Sequence, residues 1–149
     1  MERRSFMKKA AVGASAAAVA APALAQSLPT INWRLASSFP KSLDTIFAAS
    51  DTLSKRVSQL TGGKFNIRTF AAGEIVPGLQ VMDAVQAGTV EMGHSASYYY
   101  FGKDATFAFD CAVPFGLTSR QHTAWFDQGG GRELTREFFR GYGIVNFLG

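Results

Sequence analysis

Apolar and polar residues alternate in two stretches of the first half of the chain, and between them the spacing changes. Ile31-Asn32-Trp33-Arg34-Leu35-Ala36 and Lys64-Phe65-Asn66-Ile67-Arg68-Thr69-Phe70 have the period of half-covered strands. Between them Leu43, Ile46, Phe47, Ser50, Leu53, Val57 and Leu60 fall at helical spacing, which predicts an amphipathic helix from about Leu43 to Leu60. Ser42 is the candidate N-cap, Asp44 suits the first turn, and Thr61-Gly62-Gly63 closes the helix. Leu79 to Gln86 predicts a short helix with Leu79, Met82 and Val85 on one face and Gly88 at its end. Val90 to Ser95 predicts a brief third strand. An apolar irregular region follows, through Phe107-Ala108-Phe109 and Val113 to Leu117. Helices over about Ser119 to Phe126 and Arg132 to Phe139 lead to a last apolar run, Ile144 to Leu148, which reads as a buried strand.

This order, β-α-β-α-β followed by α-α-β, predicts an α/β fold with helices on the faces of one sheet. Ligands in such sheets sit in the loops at the carboxyl ends of the strands. Three loops qualify: Ser37 to Ser42, Ala71 to Gly78 and Ala96 to Phe101. A domain seldom ends inside a core strand, so the run Ile144 to Leu148 suggests a piece of a longer protein.

The first residues follow a different logic. Arg3, Arg4, Lys8 and Lys9 form a positive region, and Ala10 to Ala21 is weakly apolar and too short to cross a bilayer, which needs about 20 apolar residues. Pro22 breaks any helix, and Ala23-Leu24-Ala25 fits a small-x-small cleavage site, with cleavage between Ala25 and Gln26. Arg3-Arg4 followed by Ser5-Phe6-Met7-Lys8 resembles a twin-arginine export signal, so residues 1–25 are expected to be a leader read by the twin-arginine machinery. Residues 26–149 are then the mature part, expected in the periplasm.

Removing the leader changes the charge argument. The whole chain carries 15 basic and 11 acidic residues; without the leader, 11 and 10 remain, a net of +1. The remaining basic residues form no cluster, so the case for nucleic acid or an anionic membrane falls away. Cys111 is the only cysteine, which excludes an internal disulfide. His94 and His122 have no cysteine or carboxylate at ligand spacing, so no metal site of zinc or iron type is expected.

Catalytic signatures are missing. No G-x-G-x-x-G follows the first strand, and Gly129-Gly130-Gly131 lacks the Lys-Ser/Thr of a phosphate loop, which leaves it a flexible turn. No serine stands in a nucleophile elbow. Tyr98-Tyr99-Tyr100-Phe101 is the most unusual run: four consecutive aromatics cannot all face one core. Tyrosine offers apolar area with a hydroxyl at its tip, so this run is the first candidate for ligand contact, Tyr100 or Tyr99 ahead of Tyr98. Phe39 in the first loop is the second candidate, with Ser37 and Ser38 as hydroxyl donors. Glu74 in the second loop is the weakest, since stabilising its own loop would also account for it.

The stretches "WRLASSFPKSLDTI", "LSKRVSQLTGGKFNIRTFAAGEIVPGLQVMDAVQAGTVEMGHSASYYYFGKD" and "FAFDCAVPFGLTSRQHTAWF" together resemble the substrate-binding proteins of tripartite ATP-independent periplasmic (TRAP) transporters, the DctP-like family. The triple tyrosine and "VPFGL" look closest to the branch that binds 2-oxo acids such as pyruvate. The resemblance implies a class II periplasmic binding protein-like clamshell about twice this length, of which mainly the first lobe is present. It implies a small carboxylate as ligand, held by an arginine from the second lobe beyond Gly149, and membrane permease subunits as partners. It allows a cation such as sodium or calcium and a homodimer in the full-length protein, with no cofactor and no enzymatic step.

Three other readings stay open on the residues alone. The same fold serves ATP-driven importers and sensor kinases. A periplasmic enzyme exported folded with a cofactor would suit the twin-arginine signal. An interaction protein would use the aromatic run as an interface.

Overall fold

The computed structural model describes residues 29–147. The expectations for Arg3, Arg4, Ala25 and Gln26 lie outside the described residues, as does Leu148. Three parallel strands form the sheet: β1 (Ile31–Ser37), β2 (Phe65–Phe70) and β3 (Met92–His94), in the order β2-β1-β3. β1 pairs with β2 from Ile31 opposite Phe65 to Ala36 opposite Phe70. On its other edge it pairs with β3 only from Leu35 opposite Met92 to Ser37 opposite His94.

The crossover from β1 to β2 and the one from β2 to β3 run in opposite directions across the sheet, so right-handed connections put their helices on opposite faces. Helix α1 (Asp44–Leu60) lies over β2, where the Ser54 hydroxyl donates to the Ile67 carbonyl and the Thr69 hydroxyl donates to Asp51. Helix α2 (Val81–Gln86) covers the other face: its Val81 and Ala84 pack with Ala36 and Val90. Only the part of β1 flanked on both edges is sealed, so Leu35, Ala36 and Ser37 are buried while Ile31 to Arg34 are exposed. Where β3 has not yet begun, Glu91 supplies the missing partner. Its carboxylate accepts the Arg34 amide at 2.7 Å and the guanidinium at 3.2 and 2.8 Å. Hydrogen bonding from the Arg34 side chain, then from its amide, lowers the Glu91 pKa to about 2.

Helix α1 departs from the expected cap. Leu43, not Ser42, holds the N-cap position and makes no side-chain bond; Asp44 Oδ1 accepts the Thr45 amide at 2.7 Å instead. Of the expected apolar face only Phe47 and Ser50 are buried, and Leu43, Ile46, Leu53 and Leu60 remain exposed. A single 3-10 turn, Gly78–Gln80, precedes α2 and rotates its inner face. Val81, Met82 and Ala84 are buried, whereas Leu79, expected on that face, is 63% exposed.

A second core lies beyond β3. Two 3-10 turns, Ser97–Tyr100 and Ala105–Asp110, lead to helices α3 (Ser119–Gln128) and α4 (Gly131–Gly141). Phe107 sits at the centre, with the rings of Phe138, Tyr142, Phe139 and Tyr100 at 4.8, 5.1, 5.5 and 5.8 Å. Thr118 and Gln121 form a capping box that opens α3. The three glycines are a helix–helix turn: Gly130 has φ +80°, and a Cβ on Gly131 would lie 2.6 Å from the Trp125 ring.

The expected last strand is not formed over residues 144–147. The Ile144 amide donates to the Phe139 carbonyl at 3.1 Å, which finishes α4, and its side chain packs against the Phe107 cluster. Its apolar character is used by that cluster rather than by the sheet. Among the described residues no helix is long and apolar enough to cross a membrane.

Candidate functional site

The loops that follow β1, β2 and β3 meet at the carboxyl end of the sheet. The Ser38 amide donates to the His94 carbonyl at 2.8 Å, and the Phe39 carbonyl accepts the Ala72 amide at 3.1 Å. The first loop is thus held to both of its neighbours. The three candidate loops of the sequence therefore lie side by side.

The aromatic run divides as its length requires. Tyr100 turns into the core at 5% exposure, while Tyr98 and Tyr99 remain 39% and 37% exposed. The 3-10 turn, with about three residues per turn, places them on different sides. Phe39 packs its ring 6.1 Å from Tyr99 and 5.0 Å from His94, and Tyr98 lies 5.0 Å from Tyr99. Partial burial, then the neighbouring Tyr99, raises the Tyr98 pKa, so its hydroxyl keeps its proton.

The serines are more committed than their sequence position suggests. Ser37 is buried; its Oγ accepts the Phe39 amide at 3.1 Å and lies 3.2 Å from His94 Nδ1. Burial lowers the His94 pKa, so the ring is neutral near pH 7. A Ser37 hydroxyl that donates to Nδ1 goes with a His94 proton on Nε2. Ser38 Oγ lies 2.6 Å from both the Gly78 carbonyl and Ser95 Oγ, and Ser95 Oγ lies 2.9 Å from the Tyr100 hydroxyl. Glu74 holds its own loop: it accepts the Ala71 amide at 2.8 Å and pairs with Lys41 at 2.6 Å. The Lys41 hydrogen bond, then the Ala71 amide, lowers its pKa.

His94 and Ser95 belong to this site although they were not among the sequence candidates. The signal was available: both end the third strand, the position that singled out Ser37 and Ser38 after the first. No cluster able to hold a metal ion occurs among the described residues.

His94 also sets a pH dependence. Its folded pKa lies below the usual 6.5, so as pH falls through 6.5 the unfolded chain takes up the proton first. Stability is then lost until the folded pKa is passed, and above 6.5 the residue contributes no slope. Urea midpoints should therefore be level from pH 7 to 8 and fall toward pH 5.5, above the range of the carboxylates. His94→Asn, which keeps an acceptor near Nδ1, should flatten that fall; an unchanged slope would assign it to other groups.

Beside Tyr98 an open groove of about 490 Å³ runs along Phe101, Phe109, Val113 and Pro114. No residue lining it carries a charge. The groove offers apolar wall and no counter-charge for an anion.

Residues 36–147 match the family model described as bacterial extracellular solute-binding protein, family 7. The chain belongs to this family. A family 7 relative from Nostoc sp. (strain PCC 7120), a monocarboxylate 2-oxoacid-binding periplasmic protein, is 45% identical over 153 residues, covering 99% of this chain and 42% of the relative. A TRAP transporter solute-binding protein from Bordetella bronchiseptica, a dimer with calcium and picolinate in one site, is 53% identical with a TM-score of 0.74, over 78% of this chain and 35% of that one. One from Pseudoalteromonas atlantica with bound sodium and pyruvate is 39% identical, TM-score 0.74, over 79% and 36%. The chain thus matches 35–42% of the length of these relatives. These neighbours are periplasmic binding proteins, so the α/β architecture expected from the sequence is the observed one.

Proposed function

We propose that the chain is the leader (1–25) and most of the first lobe (26–149) of a periplasmic receptor. The receptor captures a small organic anion, a 2-oxo acid or a related carboxylate, and delivers it to a TRAP-type secondary transporter. What carries the reading is the meeting of three strand-end loops around Phe39, His94 and Tyr99, in a chain 39% identical to a receptor solved with pyruvate. Phe39, Tyr99 and Tyr98 supply wall; the tyrosine hydroxyls and the His94 Nε2–H supply donors. Ser37, Ser38, Tyr100 and Glu74 shape the loops. Lys41 is engaged by Glu74, so the anion's counter-charge falls to an arginine of the second lobe, as the family resemblance implies. A sodium or calcium ion beside the ligand, and a homodimer, suit the neighbours' descriptions. Capture works by hinge closure, with no bond made or broken. Arg3 and Arg4 would direct export through the twin-arginine machinery.

Thermal unfolding of the full-length receptor with pyruvate, other 2-oxo acids and hydroxy acids, each with and without sodium or calcium, tests this. A true ligand at a hundred times its Kd should add about 2.7 kcal/mol of stability. No stabilisation by any carboxylate would count decisively against the reading.

A further inference from the structure

Three hydroxyl groups stand in for one helix hydrogen bond at the start of α2. In a regular helix the Met82 amide would donate to the Gly78 carbonyl, four residues back. Here the Met82 amide donates to the Tyr100 hydroxyl at 3.1 Å, and the Gly78 carbonyl accepts from Ser38 Oγ at 2.6 Å. Ser95 Oγ bridges them, 2.9 Å from Tyr100 and 2.6 Å from Ser38. Each hydroxyl has one proton to give. The Gly78 carbonyl only accepts, so Ser38 gives its proton there. Ser38 Oγ also faces Ser95 Oγ as donor, sharing its proton between the two, and Ser95 and Tyr100 are joined by one further proton. The Tyr100 oxygen is left to accept the amide. The contacts form one continuous relay, from the Met82 N–H through Tyr100, Ser95 and Ser38 to the Gly78 carbonyl.

We propose that this relay positions the ligand-facing aromatics, and that Tyr100, Ser95 and Ser38 act as positioning residues rather than as ligand contacts. The inference rests on the receptor function proposed above. Ser38 comes from the loop after β1, Gly78 and Met82 from the segment after β2, and Ser95 and Tyr100 from the segment after β3. Tyr98 and Tyr99 share the 3-10 turn of Tyr100, and Phe39 follows Ser38 directly. Fixing the relay therefore fixes Tyr99 against Phe39. A polar network of this kind is rigid when every member is satisfied and weak when one is not.

The test uses the full-length receptor with pyruvate as probe. Tyr100→Phe and Ser95→Ala should each weaken pyruvate binding about tenfold, the loss of about 1.4 kcal/mol. Ser95→Thr, which keeps the hydroxyl, should stay within about twofold. Ser38 and Tyr100 share no direct bond, yet Ser38→Ala combined with Tyr100→Phe should bind no worse than the weaker single variant. Tyr100→Phe should also speed deuterium exchange at the Met82 amide in the ligand-free protein. Unweakened binding by Tyr100→Phe, or losses that multiply in the double variant, would overturn the proposal. If the unaltered receptor binds no carboxylate, the receptor function fails first, and unchanged exchange at Met82 in Tyr100→Phe would then dispose of the relay as well.

Discussion

Replacing Phe107 with alanine should destabilise the fold by about 3–5 kcal/mol, the range for deleting a buried phenylalanine ring. Phe107 is 1% exposed, and the rings of Tyr100, Phe138, Phe139 and Tyr142 close around it. These rings come from the tyrosine turn, from α4 and from its end, so the cavity could collapse only if all three moved together. A domain of this size has about 5–15 kcal/mol in total, so the variant should sit near the edge of folding at room temperature. Tyr100 would also lose the ring that holds it, and the hydroxyl relay should loosen with it. Phe115→Ala is the matched control, because Phe115 is fully exposed and its truncation should shift stability by no more than about 0.5 kcal/mol. Urea unfolding of both variants decides the matter. A cost below about 1 kcal/mol for Phe107→Ala would mean that the aromatic cluster is not the second core.

Where one face of an element is buried in the usual way, the sequence pattern showed it. The alternation at Ile31 to Ala36 and at Phe65 to Phe70 gives β1 and β2, and helical spacing gives α1, closed at Gly62 and Gly63 with φ +57° and +77°. The misplacements have local causes. Leu79 was assigned to the inner face of α2 because a helix was taken to begin there, but a 3-10 turn comes first and turns Leu79 outward. Ile144 to Phe147 has the composition of a strand, yet its first amide terminates α4 and its first side chain completes the aromatic cluster. Composition records that Ile144 packs against apolar partners; it does not say which.

At the site, the loops were legible and the hydrogen bonds were not. The rule that ligands gather at strand ends picks out three loops, and the fold brings them side by side. It could not tell a hydroxyl that faces a ligand from one that faces a neighbour. Ser37 and Ser38 stand out as donors because serines in strand-end loops often are, yet in the fold Ser37 Oγ lies 3.2 Å from His94 Nδ1 and Ser38 Oγ donates to the Gly78 carbonyl. Four adjacent aromatics had to divide between core and surface, and that much followed from sequence. Which ring went inward depended on Met82 and Ser95 offering partners to the Tyr100 hydroxyl, from positions 18 and 5 residues away.

Gly78→Ala should cost about 1–3 kcal/mol by overpacking and should also weaken pyruvate binding. A Cβ at Gly78 would lie 2.7 Å from the Ser38 carbonyl oxygen and 3.4 Å from its carbonyl carbon and Cα. All three are backbone atoms, so no side-chain rotation relieves the clash and the first and second loops must part. Parting them lengthens the bond from Ser38 Oγ to the Gly78 carbonyl, the last link of the relay, and shifts Phe39 beside it. Gly73→Ala is the informative comparison. Gly73 has φ +84° with nothing within 4 Å of an added Cβ, so alanine there meets only backbone strain of about 1–2 kcal/mol. The two variants should therefore lose comparable stability in urea, while only Gly78→Ala loses affinity for pyruvate in the full-length receptor. Equal affinities at equal stability loss would separate the close approach of these loops from ligand capture.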